Sequence, residues 1–311
     1  MTGSVSGTTL SDASGNYSFS ALPSGGSYIV TPTKTALPPA TNTINTIDIV
    51  AIQRHFLNVT FIPPGCRLTA ADVNGDNAVN TIDAVAVQRF FLGVSTGIAN
   101  TGKYLFSPVN RSYSGIVTNQ TGQNYDALVL GDVSSPFAGR PEGPEPAAAG
   151  QEEESVESYD LPLTLSLPNL AVDLSAANFV VPVKSTVIDE SASVVGFQGD
   201  LIFDERIVTF QSEPVQKAGL TSGNWNVSGN ILSGKGPMRI LRISAFSSDL
   251  VPLSGSGTLF ELRMKRVNQA DHGTELLWAA PPDDFLFIDS SLRNLRPTDA
   301  APGSVVPSSA H

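Results

Sequence analysis

The chain has 311 residues, long enough for two or three domains that each bury a core. Its 29 Asp plus Glu outnumber 18 Lys plus Arg, and the formal charge of −11 repels phosphate backbones and anionic membrane surfaces, which argues against nucleic acid as a partner. Cys66 is the only cysteine, so an intrachain disulfide, a thiolate zinc cluster and a Cys-x-x-Cys redox pair are excluded. No apolar run reaches the roughly 18 residues needed to cross a bilayer, and Met1 to Thr9 lack the basic-then-apolar profile of a signal peptide. A soluble chain without membrane insertion is expected. Few charges and many Ser, Thr, Asn, Gly and Pro residues suit short strands joined by tight turns, a composition common in extracellular β-proteins.

From the N-terminus, Asn16–Ser20 and Ser27–Thr31 alternate polar with large apolar residues around the turn Pro23-Ser24-Gly25-Gly26, which predicts two strands. A repeat follows. Asn45-Thr46-Ile47-Asp48 recurs as Asn80-Thr81-Ile82-Asp83, and Ala51-x-Gln53-Arg54-x-Phe56-Leu57 recurs as Ala86-x-Gln88-Arg89-x-Phe91-Leu92. Each copy starts at an Asp able to cap a helix or hold a ligand, then places Ile49, Ile52 and Phe56, or Ala84, Val87 and Phe91, on one face, which predicts a pseudo-symmetric helix pair. Lys103–Phe106 and Tyr125–Leu130 return to strand character. Residues 138–158 combine proline, alanine and acid with almost no large apolar residue and read as a linker. From Leu161 onward strand follows strand, among them Phe179–Val183, Val195–Phe203, Met238–Ile243, Leu259–Met264 and Phe285–Ile288, the pattern of an antiparallel sandwich or jelly roll.

The sharpest chemical motif is Asp72-Val73-Asn74-Gly75-Asp76-Asn77-Ala78-Val79-Asn80-Thr81-Ile82-Asp83. Calcium takes six to eight hard oxygens, and an EF-hand-type loop supplies them at positions 1, 3, 5, 7, 9 and 12. Those positions are Asp72, Asn74, Asp76, the Ala78 carbonyl, Asn80 and Asp83. Asn77 stands where glycine is usual, and asparagine tolerates the left-handed turn. An Asp/Asn-rich surface turn without metal is the alternative.

This loop resembles that of dockerins, in which an Asp closes the loop and two loop-helix units pack together. The likeness covers about residues 40–95 and implies calcium as the cofactor. In the first copy Leu37, Pro39 and Thr41 stand at the acidic ligand positions, so only Asn42, Asn45 and Asp48 remain as side-chain donors, a second and weaker candidate set. The resemblance also implies partner contacts at Thr81, Ile82, Gln88 and Arg89, with Thr46, Ile47, Gln53 and Arg54 as the symmetric set; a core role for the isoleucines and a solvated role for the Gln-Arg pairs are the alternative. Asp12–Pro32 and Phe106–Tyr125 resemble the two halves of a carboxypeptidase-regulatory-like or Cna B-type β-sandwich, interrupted by the helix pair. Val195–Asp204 and Gly257–Lys265 resemble hallmark strands of cohesins.

The expected organisation is mainly β: two sandwiches, the first discontinuous (residues 1–35 and 99–135) around a dockerin-like insertion (36–98), an acidic linker (136–160) and a cohesin-like sandwich (161–311). No nucleophile–base constellation, P-loop or His-Glu-x-x-His helix is present, and His55 sits at the repeat position held by Phe90, so no enzymatic activity is expected. The resemblance implies calcium-dependent docking of the helix pair of one molecule on the sandwich of another, self or a separate cohesin- or dockerin-bearing protein, head-to-tail into an extracellular or cell-surface filament. An adhesin, a carbohydrate-binding module and a scaffold for separate enzymes are the alternatives. Asn16, Asn58, Asn110, Asn119 and Asn226 head Asn-x-Ser/Thr glycosylation sequons.

Overall fold

A computed structural model describes residues 1–134, 158–173, 177–267 and 273–308; the acidic linker, apart from its last residues, and His272 lie outside the described residues. Strand β1 (Thr2–Gly3) pairs with β2 (Gly26–Val30), and the predicted strand at Asn16–Ser20 is irregular chain instead. Its tyrosine is held by side-chain bonding, with the Tyr17 hydroxyl donating to the Gln123 carbonyl. Helices α1 (Thr46–Phe56), α2 (Cys66–Ala71) and α3 (Thr81–Phe91) follow, then β3 (Tyr104–Ser107), β4 (Arg111–Ile116) and β5 (Asp126–Val129). Strands β2, before the helices, and β4, after them, pair with Tyr28 opposite Tyr113 in one three-stranded sheet, while β3, the first strand after the helices, forms a two-stranded ribbon with β5.

Why α1 and α3 begin where they do is legible in their repeat. Asn45 and Asn80 are the N-caps: each side chain accepts from the amide two residues on, at 2.8 Å, while Asp48 and Asp83 reach back to the cap's own N–H. The Asp expected to open each helix is therefore its third residue, which closes a capping box. Asn45→Ala and Asn80→Ala are each expected to cost about 1 kcal/mol, read as a lower urea midpoint.

The C-terminal part is one extended antiparallel system folded over itself: β6 (Ser158–Ser166), β7 (Asn169–Asp173), β8 (Asn178–Ile188), β9 (Val194–Asp204), β10 (Val208–Lys217), β11 (Trp225–Leu232), β12 (Met238–Ser247), β13 (Gly255–Arg266), β14 (Thr274–Trp278), β15 (Leu286–Asp289), β16 (Asn294–Ala301) and β17 (Gly303–Ser308). The order runs β10-β13-β8-β6-β16-β15-β9-β14-β17-β7, with β12 on β9 and β11 on β12; only the β16–β6 and β17–β7 pairs are parallel. Between the layers Phe197 stacks with Trp225, Phe260 and Phe285 at centroid distances of 5.4–5.7 Å. The chain is thus mainly β, with the α-helices among the described residues in the N-terminal part and two single 3-10 turns, Glu190–Ala192 and Gly219–Thr221, in the sandwich.

A second core crosses from one part to the other. Ile44, Ile49, Val50, Ile52, Ala84, Val87 and Phe90 pack with Val129, Leu130 and Val133 on one side and with Val195, Phe246 and Ile288 of the sandwich on the other. Strands β9 and β12 are therefore buried on both faces. Among the described residues no helix is long and apolar enough to cross a membrane.

Candidate functional site

The Asp72–Asp83 loop is wound by its own side chains. Asp72 accepts from the amides of Gly75, Asp76 and Asn77, Asn74 accepts from Asp76, and Asp76 accepts from Ala78, at 2.8–3.2 Å. Asp83 closes the loop, accepting from Asn74 at 3.3 Å and Asn80 at 3.0 Å. Asn77 has φ +66°, the left-handed turn required where glycine is missing. Burial, and beyond it the neighbouring Asp72 and Asp76 carboxylates, hold the Asp83 carboxyl above its ordinary range. Among the described residues no three His, Cys, Asp or Glu side chains converge on one point; the donor set of this loop is mixed, with amide and carbonyl oxygens beside the carboxylates. Crowded acids on a turn of this shape fit a hard cation.

The first copy is built differently. Asn45 spends its oxygen on the helix cap, and its Nδ2 donates to the Asn42 carbonyl, while the Asn42 amide turns to Asp283. Asp48 is fully buried and accepts from the amides of Asn45 (2.9 Å), Val133 (2.9 Å) and Ser134 (2.8 Å). Burial pushes its carboxyl above the ordinary range although these amides pull it down. Asn42, Asn45 and Asp48 are thus directed to three different partners: Asn42 to Asp283, the Asn45 oxygen to the start of α1, and Asp48 to the segment at Val133 and Ser134.

Those amides reveal a relation the repeat search missed. Asp132-Val133-Ser134 serves α1 as Asp72-Val73-Asn74 serves α3, each lending its third amide to the Asp that ends the loop. The signal, Asp-Val followed by Asn or Ser, was present in the sequence. It stands after its helix in chain order and breaks the 35-residue period.

One face of the helix pair is seated on β9, β11 and β12. The Thr46 amide donates to Gln198 Oε1 (2.9 Å) and the Thr46 hydroxyl bonds the Ser244 hydroxyl (2.9 Å). Gln53 Nε2 donates to the Ser248 carbonyl (2.6 Å), Gln88 Nε2 to the Ser244 carbonyl (3.2 Å), and Asn230 Nδ2 to the Leu92 carbonyl (2.8 Å). Gly196 permits the approach: a Cβ there would lie 3.1 Å from Val50. Of the implied partner residues, Thr46, Gln53 and Gln88 meet the sandwich. Ile47 packs against the shared core, Thr81 is half-buried, and Ile82 is 62% exposed. Arg54 and Arg89 instead tie down the loops after their own helices, through Thr60 and Thr96. Phe56, expected on a buried face, is 43% exposed, whereas its counterpart Phe91 is buried beneath Arg242.

His55 is half-buried and accepts the Ile62 amide through Nδ1, a structural role. Of the sequon residues, Asn16, Asn58, Asn110 and Asn119 are exposed, Asn16 bonded to Asp12, while Asn226 is half-buried on β11.

Residues 41–92 match the family model of the dockerin type I domain. No curated protein sequence matches the chain. Solved structures align with about half of it. The cohesin–dockerin complex Coh-OlpA-Doc918 from Clostridium thermocellum has 10% identity and TM-score 0.38, over 48% of this chain and 100% of that one. CaCohA2 from Clostridium acetobutylicum has 18% identity and TM-score 0.38, over 50% and 96%. The sixth cohesin of Acetivibrio cellulolyticus scaffoldin B, in complex with the Cel5 dockerin, has 15% identity and TM-score 0.36, over 48% and 100%. The helix pair that rests on the sandwich thus lies in a segment similar in sequence to a dockerin type I domain.

Proposed function

We propose that this is a non-enzymatic, calcium-dependent assembly protein of the extracellular space or cell surface, in which the dockerin-like helix pair of one molecule docks on the cohesin-like sandwich of another, head-to-tail into a filament. The observation that carries this reading is the seat itself. Thr46, Gln53 and Gln88, which the dockerin resemblance implies as contact residues, are buried against β12 and its end, and one apolar cluster is shared between the helix pair and Val195, Phe246 and Ile288 of the sandwich.

In the single chain the seat is filled by its own helix pair. Residues 135–157 separate Ser134 from Ser158, a contour of at most about 80 Å. The same contacts formed between copies constitute a domain exchange, and because the two surfaces differ, successive exchanges build an open chain of molecules. Calcium held by Asp72, Asn74, Asp76, the Ala78 carbonyl, Asn80 and Asp83 supplies the positive charge that lets these oxygens pack at the entrance to α3. Asn42, Asn45 and Asp48 form no second site in this reading.

The test uses the touching hydroxyls of Thr46 and Ser244. In a Cys66→Ser background, Thr46→Cys with Ser244→Cys is expected to form a disulfide on mild oxidation, resolved on a non-reducing gel. A ladder of linked chains that lengthens with protein concentration supports docking between copies. A linked monomer alone at every concentration overturns the filament, and failure to link overturns the seat.

A further inference from the structure

At the centre of the seat lies a buried ionic group that the sandwich does not need for its own core. Arg242 on β12 faces Asp200 on β9, its direct partner in register. Nε and Nη2 of the arginine donate to the two Asp200 oxygens at 2.9 and 2.8 Å, with the side chains only 6% and 4% exposed. Both project from the face opposite Phe197, Leu201, Leu241 and Ile243, which fill the sandwich interior. A buried ion pair is a poor source of stability, because desolvating two charges offsets most of their attraction, and apolar residues of similar size serve as well.

What Arg242 does with its remaining surface points across the seat. Nη1 donates to the Ala40 carbonyl at 2.8 Å, and the guanidinium carbon lies 4.9 Å from the centroid of the Phe91 ring. Asp283 lies 3.7 Å from Nη2 and bonds the Asn42 amide, so the acid on the rim also touches the helical part. Ala40 presents its carbonyl from φ +71°, a left-handed conformation unfavourable for alanine, and is held there by its amide, which donates to the Phe90 carbonyl at 2.9 Å. Strained backbone, aromatic ring and cation therefore converge on one point between the two parts.

We propose that Arg242 is the selectivity element of the seat: Asp200 fixes its planar fork, and the seat then accepts a helix pair that brings an aromatic ring to the guanidinium face and a backbone carbonyl to Nη1. This rests on the docking reading above and deepens it. The occupant so defined is this chain's helix pair, its own or a second copy's. A helix pair with an aliphatic residue at position 91 leaves the cation uncovered, and one without the carbonyl leaves a buried donor unpaired, a penalty that a lysine's point charge on a flexible stem would not reproduce.

The test is hydrogen exchange of the full-length chain, read at the Thr46 amide, which crosses the seat to Gln198. The paired replacement Asp200→Leu with Arg242→Met removes the fork without leaving a lone charge. It is expected to speed exchange at Thr46 by about 30-fold or more, the loss of a charge-assisted hydrogen bond together with a ring contact. Phe91→Leu alone is expected to speed it about fivefold, and to add nothing in the paired background, because its effect acts through Arg242. Amides of Val183 and Phe260, paired strands away from the seat, report whether the sandwich stays folded. If they lose protection, Arg242→Lys replaces the paired variant, with about tenfold faster exchange expected and the same loss of the Phe91 effect. Unchanged exchange at Thr46, or a Phe91 effect of equal size in both backgrounds, overturns the role of Arg242 while leaving docking intact. Unprotected exchange at Thr46 in the unsubstituted chain overturns both.

Discussion

Asp48→Ala is expected to lower the unfolding free energy of the chain by about 3–5 kcal/mol, measured as a fall in the urea midpoint at unchanged slope. The carboxylate is fully buried and satisfies the amides of Asn45, Val133 and Ser134. Alanine leaves these donors without an acceptor, each worth about 1–3 kcal/mol when buried, with water entering the vacated space to recover part of the loss. The effect is also topological: Asp48 joins the start of α1 to a segment that follows β5, holding together the two ends of the chain that emerge from the helical region. Asp83→Ala, assayed without calcium, serves as the contrast. Its carboxylate accepts two amides of a surface loop, and a loss of only about 1–2 kcal/mol is expected. A change below about 1 kcal/mol for Asp48→Ala would show that the three amides find water as readily as carboxylate.

Calcium at about 1 mM is expected to raise the unfolding free energy by about 2.7 kcal/mol if the loop binds near 10 µM, within the range of sensor-type loops. A chelator should abolish the gain, and so should Asp72→Ala or Asp76→Ala, which remove both a ligand and the acceptor that winds the loop. Titration calorimetry is expected to count one ion per chain. Two ions would mean that Asp48 releases the Val133 and Ser134 amides in favour of metal, against the hydrogen bonding described above. No calcium-dependent heat or stabilisation would sink the calcium part of the proposed function.

Much of this was legible in local chemistry. The Asn-x-x-Asp repeat reports the helix starts because a capping box needs its two polar groups three residues apart, and that spacing survives in any linear reading. Period-two alternation marked most strands of the sandwich, since apolar side chains of alternate residues fill its interior. Asn77 announced its left-handed turn because it stands where such loops usually carry glycine. The strand expected at Asn16–Ser20 failed for a matching reason: alternation says that one face is apolar, and a strand also needs a neighbour to pair with.

The seat was half legible. Thr46, Gln53 and Gln88 stood out through the dockerin resemblance, but their receivers did not. Gln198, Asp200, Arg242 and Ser244 sit at alternate positions of β9 and β12, where polar residues read as solvent-facing; they are covered because a second body lies on that face. Nor could the repeat tell Phe56 from Phe91, which have the same place in the same helix pattern. The sequence by itself determined the helix pair, the oxygen-rich Asp72–Asp83 loop and the strand-rich second half, all of which follow from spacing within a few residues; that Asn45 and Asn80 are the caps, and not the Asp residues, came from the structure. The tertiary structure decided that Asp48 binds amides from residues 133 and 134, and that the helix pair meets the sandwich around Arg242. Such contacts join residues about 85 to 200 positions apart, and no short-range period records them.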